Sequence, residues 1–206
     1  AHTTGVLATL FFLIIGTFWL LGSLQEPIFY HLVGSQYHPQ VNIISFFFIV
    51  PLMLGYMVLL DRFDVRRVFI TMLGGYALFF SAAALLLMHP TIGLANEVPD
   101  ATRLLGWIVF AVIKTYGSFL VTLFWSLATS VTTVDTAKLT FPFIVVCAQF
   151  GSLSGTSLVR MAASWGVPML MLCAVVGMVV AIVLLMTMHA RLPMLRSKKP
   201  VSRTGL

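Results

Sequence analysis

Charge is what this sequence has least of. Only 9% of its 206 residues are charged, while 60% are hydrophobic. A soluble domain is about a quarter charged, so this chain lacks the polar groups to cover its own apolar surface. It reads as an integral membrane protein. Cysteine is equally scarce: Cys147 and Cys173 lie in separate apolar stretches, with no second Cys or His at ligand spacing. That excludes zinc and CxxC redox motifs and leaves two small packing residues. HExxH, GxSxG, the phosphate loop and GxGxxG are all missing, so the chain is not read as an enzyme. Of His2, His31, His38, His89 and His189, none lies mid-span and no two share a helix face. This argues against haem or chlorophyll ligation, and no cofactor is expected. No basic face with interleaved aromatics accompanies the net charge of +6, so nucleic acid is not an expected partner.

What is present is long apolar runs. They are about 20 residues or longer and nearly uncharged, as spanning helices require; barrel strands would alternate over about 10 residues. Six spans are expected: Gly5 to Val33, Val41 to Leu60, Val68 to Met88, Leu104 to Thr129, Phe141 to Met161 and Val167 to His189. The opening "AHTTGVLATLFFLIIGTFWLLGSL" lacks a basic start and is too long for a signal peptide, so it reads as the first span. The expected fold class is all-α, a single six-helix membrane domain with short loops and antiparallel neighbours.

Of the twelve Lys and Arg, nine fall on one side: Arg62, Arg66, Arg67, Lys138, Arg191, Arg196, Lys198, Lys199 and Arg203. By the positive-inside rule, both termini face the cytoplasm or its matrix or stromal equivalent, in a bacterial inner membrane or an organellar inner or envelope membrane.

The turn "GYMVLLDRFDVRR", with Asp61, Arg62, Arg66 and Arg67, resembles the inner-surface signature of the major facilitator superfamily. "LFWSLATSVTTVDTAKLTFPFIVVCAQFGSLSG" resembles the nucleotide (ATP/ADP) translocase family of plastids and obligate intracellular bacteria. Phe124, Trp125, Thr132, Thr133, Asp135, Ala137, Lys138, Phe141, Pro142, Gly151 and Gly155 follow the order of that family's motifs. The resemblance covers nearly the whole chain, but as one six-helix half of a fold of about twelve helices. It implies a nucleotide as the cargo and a second six-helix half as the partner. The chain departs where that family carries charge. Its basic first-helix positions are Gly22 and Gln25 here, the acid is Glu26, and Lys114 stands near the family's fourth-helix glutamate.

Lys114 lies about 15 Å into the fourth span, and Glu26 about 12 Å from the outer end of the first. A lone charge at such depth costs roughly 2.5–3.5 kcal/mol on insertion scales. Ser118, Thr122, Trp125 and Thr129 lie within about 80° of Lys114, making a polar stripe on an interior face. The expectation is a direct or water-linked Glu26–Lys114 pair. A lysine snorkelling to the interface beside Trp107 and a substrate contact are the alternatives. The GxxxG of Gly151 and Gly155 implies close helix packing or a subunit seam. In the basic turns, Asp61, Asp64 and Asp135 are expected to tie loops together. Two functions follow. One is a transporter-derived, non-catalytic subunit of a larger membrane complex. The alternative is a nucleotide or small-anion transporter half that acts as a dimer or with a second half. Lipid and other membrane subunits are the expected neighbours.

Overall fold

The structure is a computed structural model that describes residues 2–191. Among the described residues, six helices are long and apolar enough to cross a membrane. They are α1 (His2–Leu32), α2 (His38–Arg62), α3 (Val65–Leu87), α4 (Leu104–Val131), α5 (Val134–Leu158) and α7 (Val167–Arg191), with the short α6 (Ala162–Trp165) before the last. No strand occurs among the described residues, and the all-α membrane class holds. The turns at Phe63–Asp64 and Thr132–Thr133 form the basic end of the bundle. The turn after α1, the long connection between α3 and α4, and α6 form the far end.

The helix ends follow local chemistry. Pro39 sits in the first turn of α2, where a missing N–H costs nothing. Gly34 and Gly166 take φ of 114° and 80° at the two tight far-end turns, a region closed to most side chains. The fifth helix begins seven residues earlier than the apolar run at Phe141, at Val134. "VDTAKLT" is helix and not loop. Thr133 occupies the N-cap position in extended conformation, and Asp135 lies in the first turn, where a carboxylate favours the helix N-terminus. Pro27 leaves α1 helical through Leu32.

Packing places α2, α4, α1 and α5 side by side in a front row. Behind them, α3 rests on α4 and α7, and α7 rests on α1. Exchanging the first three spans for the last three leaves this neighbour set unchanged: α1 with α5 maps onto α4 with α2, and α1 with α7 onto α4 with α3. Since three spans reverse the direction of the chain, this is the neighbour pattern of an inverted repeat.

Lipid tails are as apolar as leucine, so contact and hydrogen bonding must hold the bundle together. Along the α1–α5 seam, a Cβ on Gly151 would collide with the Phe12 carbonyl, and one on Gly155 with the Gly16 carbonyl. These glycines let two main chains touch within one subunit. Between α1 and α4, Phe11 stacks on Phe124 with ring centroids 4.1 Å apart, and Phe18 fills the gap left by Gly117. Deeper in, the Tyr116 hydroxyl bonds Thr17, and Tyr76 donates to Thr115 at 2.9 Å, joining α1, α3 and α4.

Candidate functional site

Each front-row helix has one side left over. On α1, Phe12 and Gly16 face α5, Phe18 and Gln25 face α4, and Thr17 faces Gly177 on α7. At 100° per residue, the remaining side carries Ile15, Trp19, Gly22 and Glu26. Trp19 is 46% exposed there. On α4, Gly117 and Phe124 face α1, Tyr116 faces Tyr76 on α3, and Phe119 faces Tyr56 on α2. The remaining side carries Lys114, Ser118, Thr122, Trp125 and Thr129. Glu26, Lys114, Ser118, Thr122 and Thr129 are exposed, and Trp125 is half-buried against Phe11 and Phe141. The expected polar stripe is therefore real as a surface. It is an open front face of the isolated chain, not an interior of it.

The expected Glu26–Lys114 pair does not form within the chain; the N-terminus of α2 lies between the two. The Lys114 ammonium donates to Asn42 Oδ1 at 2.7 Å and stands 5.4 Å from the centre of the Phe110 ring. Glu26 Oε1 lies 3.6 Å from Nε2 of His38. Asn42 Nδ2 donates to the His38 carbonyl at 2.9 Å, which closes a chain from Glu26 through His38 and Asn42 to Lys114. Among the described residues, His38–Glu26 is the one contact within 4.0 Å between an acidic and a basic or imidazole side chain. The physical reason is reach. Asn42 is one turn into α2, so the long lysine stem extends toward the far end and leaves the depth of its own Cα. Edge-on contacts of His38 with Tyr30 and Phe110 hold the ring between α1 and α4. Sequence reasoning missed His38 and Asn42. Their i, i+4 spacing in "HPQVN" was the available signal, marking one face of the helix start.

Below Lys114, two hydroxyls are spent on their own helix: Thr122 donates to the Ser118 carbonyl at 2.7 Å and Thr129 to the Trp125 carbonyl at 2.9 Å. The two threonines need no water or ligand to sit in an apolar medium. Flanking the face, α2 and α5 are the barest helices. Phe46, Phe47 and Leu54 on α2, and Phe143, Phe150 and Leu153 on α5, are each more than half exposed.

At the basic end, Arg66 Nε donates to the Leu185 carbonyl at 3.1 Å, tying α3 to α7. Asp61, Arg62 and Arg67 are exposed beside it. Asp135 and Lys138 are exposed on the first turns of α5. Arg191 ends α7, with its side chain outside the described residues, as are Arg196, Lys198, Lys199 and Arg203. At the far end, the connection from α3 to α4 is sewn to α1: the Asp100 amide donates to Leu32 O at 2.9 Å, and His31 Nε2 lies 2.8 Å from Leu94 O.

No protein-family profile, curated protein or solved structure matches this chain. The resemblance to the nucleotide translocases therefore stands on the quoted residues alone.

Proposed function

We propose that this chain is a non-catalytic, transporter-derived membrane subunit whose front face packs against a neighbour in a larger assembly, with its basic end and termini on the cytoplasmic, matrix or stromal side. One observation carries the reading. Glu26 and Lys114 lie inside spans yet are exposed on a face whose two flanking helices are nearly bare. Charged side chains in a span are costly against lipid and belong against protein or water. Two of the three hydroxyls of the face, those of Thr122 and Thr129, bond their own helix, as suits a helix seam.

The alternative is a nucleotide or small-anion transporter half. It draws support from Lys114 standing above Ser118, Thr122 and Trp125 on one stripe, a cation over groups that can hydrogen-bond or stack. Against it, the acid Glu26 shares the same face, and a phosphate would meet repulsion there. The two readings separate in one preparation. The chain is purified in mild detergent, its native mass and co-purifying subunits are measured, and it is reconstituted into vesicles with labelled ATP and ADP. An assembly larger than one chain with no uptake is the expected result. Saturable nucleotide uptake overturns it.

A further inference from the structure

Resting on that reading, we infer that the neighbour on the front face is a second copy of this chain, related by a two-fold axis along the membrane normal. The front row runs α2, α4, α1, α5. Rotating a copy by half a turn about the normal and facing it to the first reverses that order. It sets α1 of each chain opposite α4 of the other, and α2 opposite α5. Heights are preserved by this rotation, so residues at matched depth meet.

The charges on the face make it self-complementary. It carries one acid, Glu26 on α1, and one base, Lys114 on α4, linked to each other through His38 and Asn42 at the far end. Under the two-fold, Glu26 of each chain faces Lys114 of the other, giving two equivalent cross-subunit ion pairs, as an isologous interface requires. Neither side chain has to surrender its present contact. Lys114 has further donors beyond the one given to Asn42, and Glu26 has a second oxygen and is 56% exposed. The same rotation lays the bare phenylalanines of α2, Phe46 and Phe47, toward Phe150 at matching depth on the partner's α5, where two antiparallel helices meet at the rim. A face of one sign would have pointed to an unlike partner; this face supplies both signs itself.

The test is charge exchange between chains. E26K and K114E are each reconstituted alone in vesicles, and then together, with donor and acceptor dyes on separate pools. Each variant alone sets like charges across the seam and is expected to dimerise at least about tenfold more weakly than the wild type. The mixture pairs every charge with its opposite and is expected to restore energy transfer between the E26K and K114E chains. A second arm does not depend on the charges: E26C and K114C chains, with Cys147 and Cys173 replaced by alanine, are mixed and oxidised. A disulfide joining the two different chains is expected. Wild-type dimerisation by either charge variant alone, a mixture that stays monomeric, or absence of the mixed disulfide each overturns the inference. Nucleotide uptake by a dimer that passes these tests would overturn the structural-subunit reading and leave the two-fold pairing standing. A monomeric chain without uptake, held by unlike subunits, would do the reverse.

Discussion

Lys114 on α4 donates to Asn42 on α2 at 2.7 Å, and that single contact sets where the charge of the fourth helix lies. The lysine reaches toward the far end, over the Phe110 ring, and takes a neutral acceptor while the acid of the same face turns to His38. Replacing Asn42 with leucine removes that acceptor. Because the ammonium is exposed, the cost is expected near the ordinary net worth of one hydrogen bond, about 1 kcal/mol. K114M should cost a similar amount, and the double variant N42L/K114M no more than either single one. Thermal unfolding in detergent gives the three values. Fully additive losses would show that the two residues do not act together.

The α1–α5 seam makes a sharper demand. On Gly155, an added methyl would strike the Gly16 carbonyl and come within 3.2 Å of the Leu20 amide, and neither main-chain group can swing aside. G155A is expected to lose about 1–3 kcal/mol by forcing the helices apart. Gly75 in α3 is the control, since a methyl there meets nothing within 4 Å. G75A should be neutral or gain about 0.5–1 kcal/mol from the improved helix former. Melting temperatures measured side by side should move in opposite directions. A neutral G155A would refute the main-chain contact.

The buried hydroxyl pair between α1 and α4 separates packing from hydrogen bonding. Thr17 already donates to the carbonyls of Leu13 and Ile14, so Y116F leaves it satisfied. That variant is expected to cost at most about 1 kcal/mol. Y116A removes a fully buried ring that touches Tyr76 and Phe80, and its cavity is expected to cost roughly 3–5 kcal/mol. Equal losses for the two variants, read from denaturant unfolding, would mean that the hydroxyl and not the ring holds these helices.

How much of this was legible beforehand depended on whether the signal was local. The six apolar runs gave the spans because length and lack of charge are properties of the run itself. The stripe from Lys114 to Thr129 was readable from the 100° step, and it does share one side of α4. What the stripe faces was not readable, since that depends on which helices flank α4. Glu26 and Lys114 were matched by depth along their own axes, but α2 begins between them, and His38 and Asn42 take up both charges. The start of α5 was misplaced for a local reason. Asp135 and Lys138 look like loop residues by charge, yet an acid in a first turn is also what a helix start favours. Gly151 and Gly155 announced a close approach but not its partner, which proved to be α1 of the same chain.

Asp100 gives the fold a pH response outside the spans. The Thr102 amide donates to Asp100 Oδ1 at 2.8 Å, and this bond holds the carboxyl below its ordinary value of 3.8. The bonded form is the carboxylate, so the folded value lies below the unfolded one. The contribution to the far-end connection is therefore fully present above the ordinary carboxylate value and is lost as pH falls through the lowered one. The Asp100 amide meanwhile ties this turn to Leu32, and Trp107 Nε1 donates to the Ala101 carbonyl at 3.0 Å, so loosening should spread to the start of α4. Hydrogen exchange at the Thr102 amide, corrected for intrinsic rates and followed from pH 6 down to about pH 2, should show protection falling only below the usual aspartate range. D100N should show weaker protection with no such step. A midpoint at or above the ordinary value, or an unchanged step in D100N, would assign the response to another group.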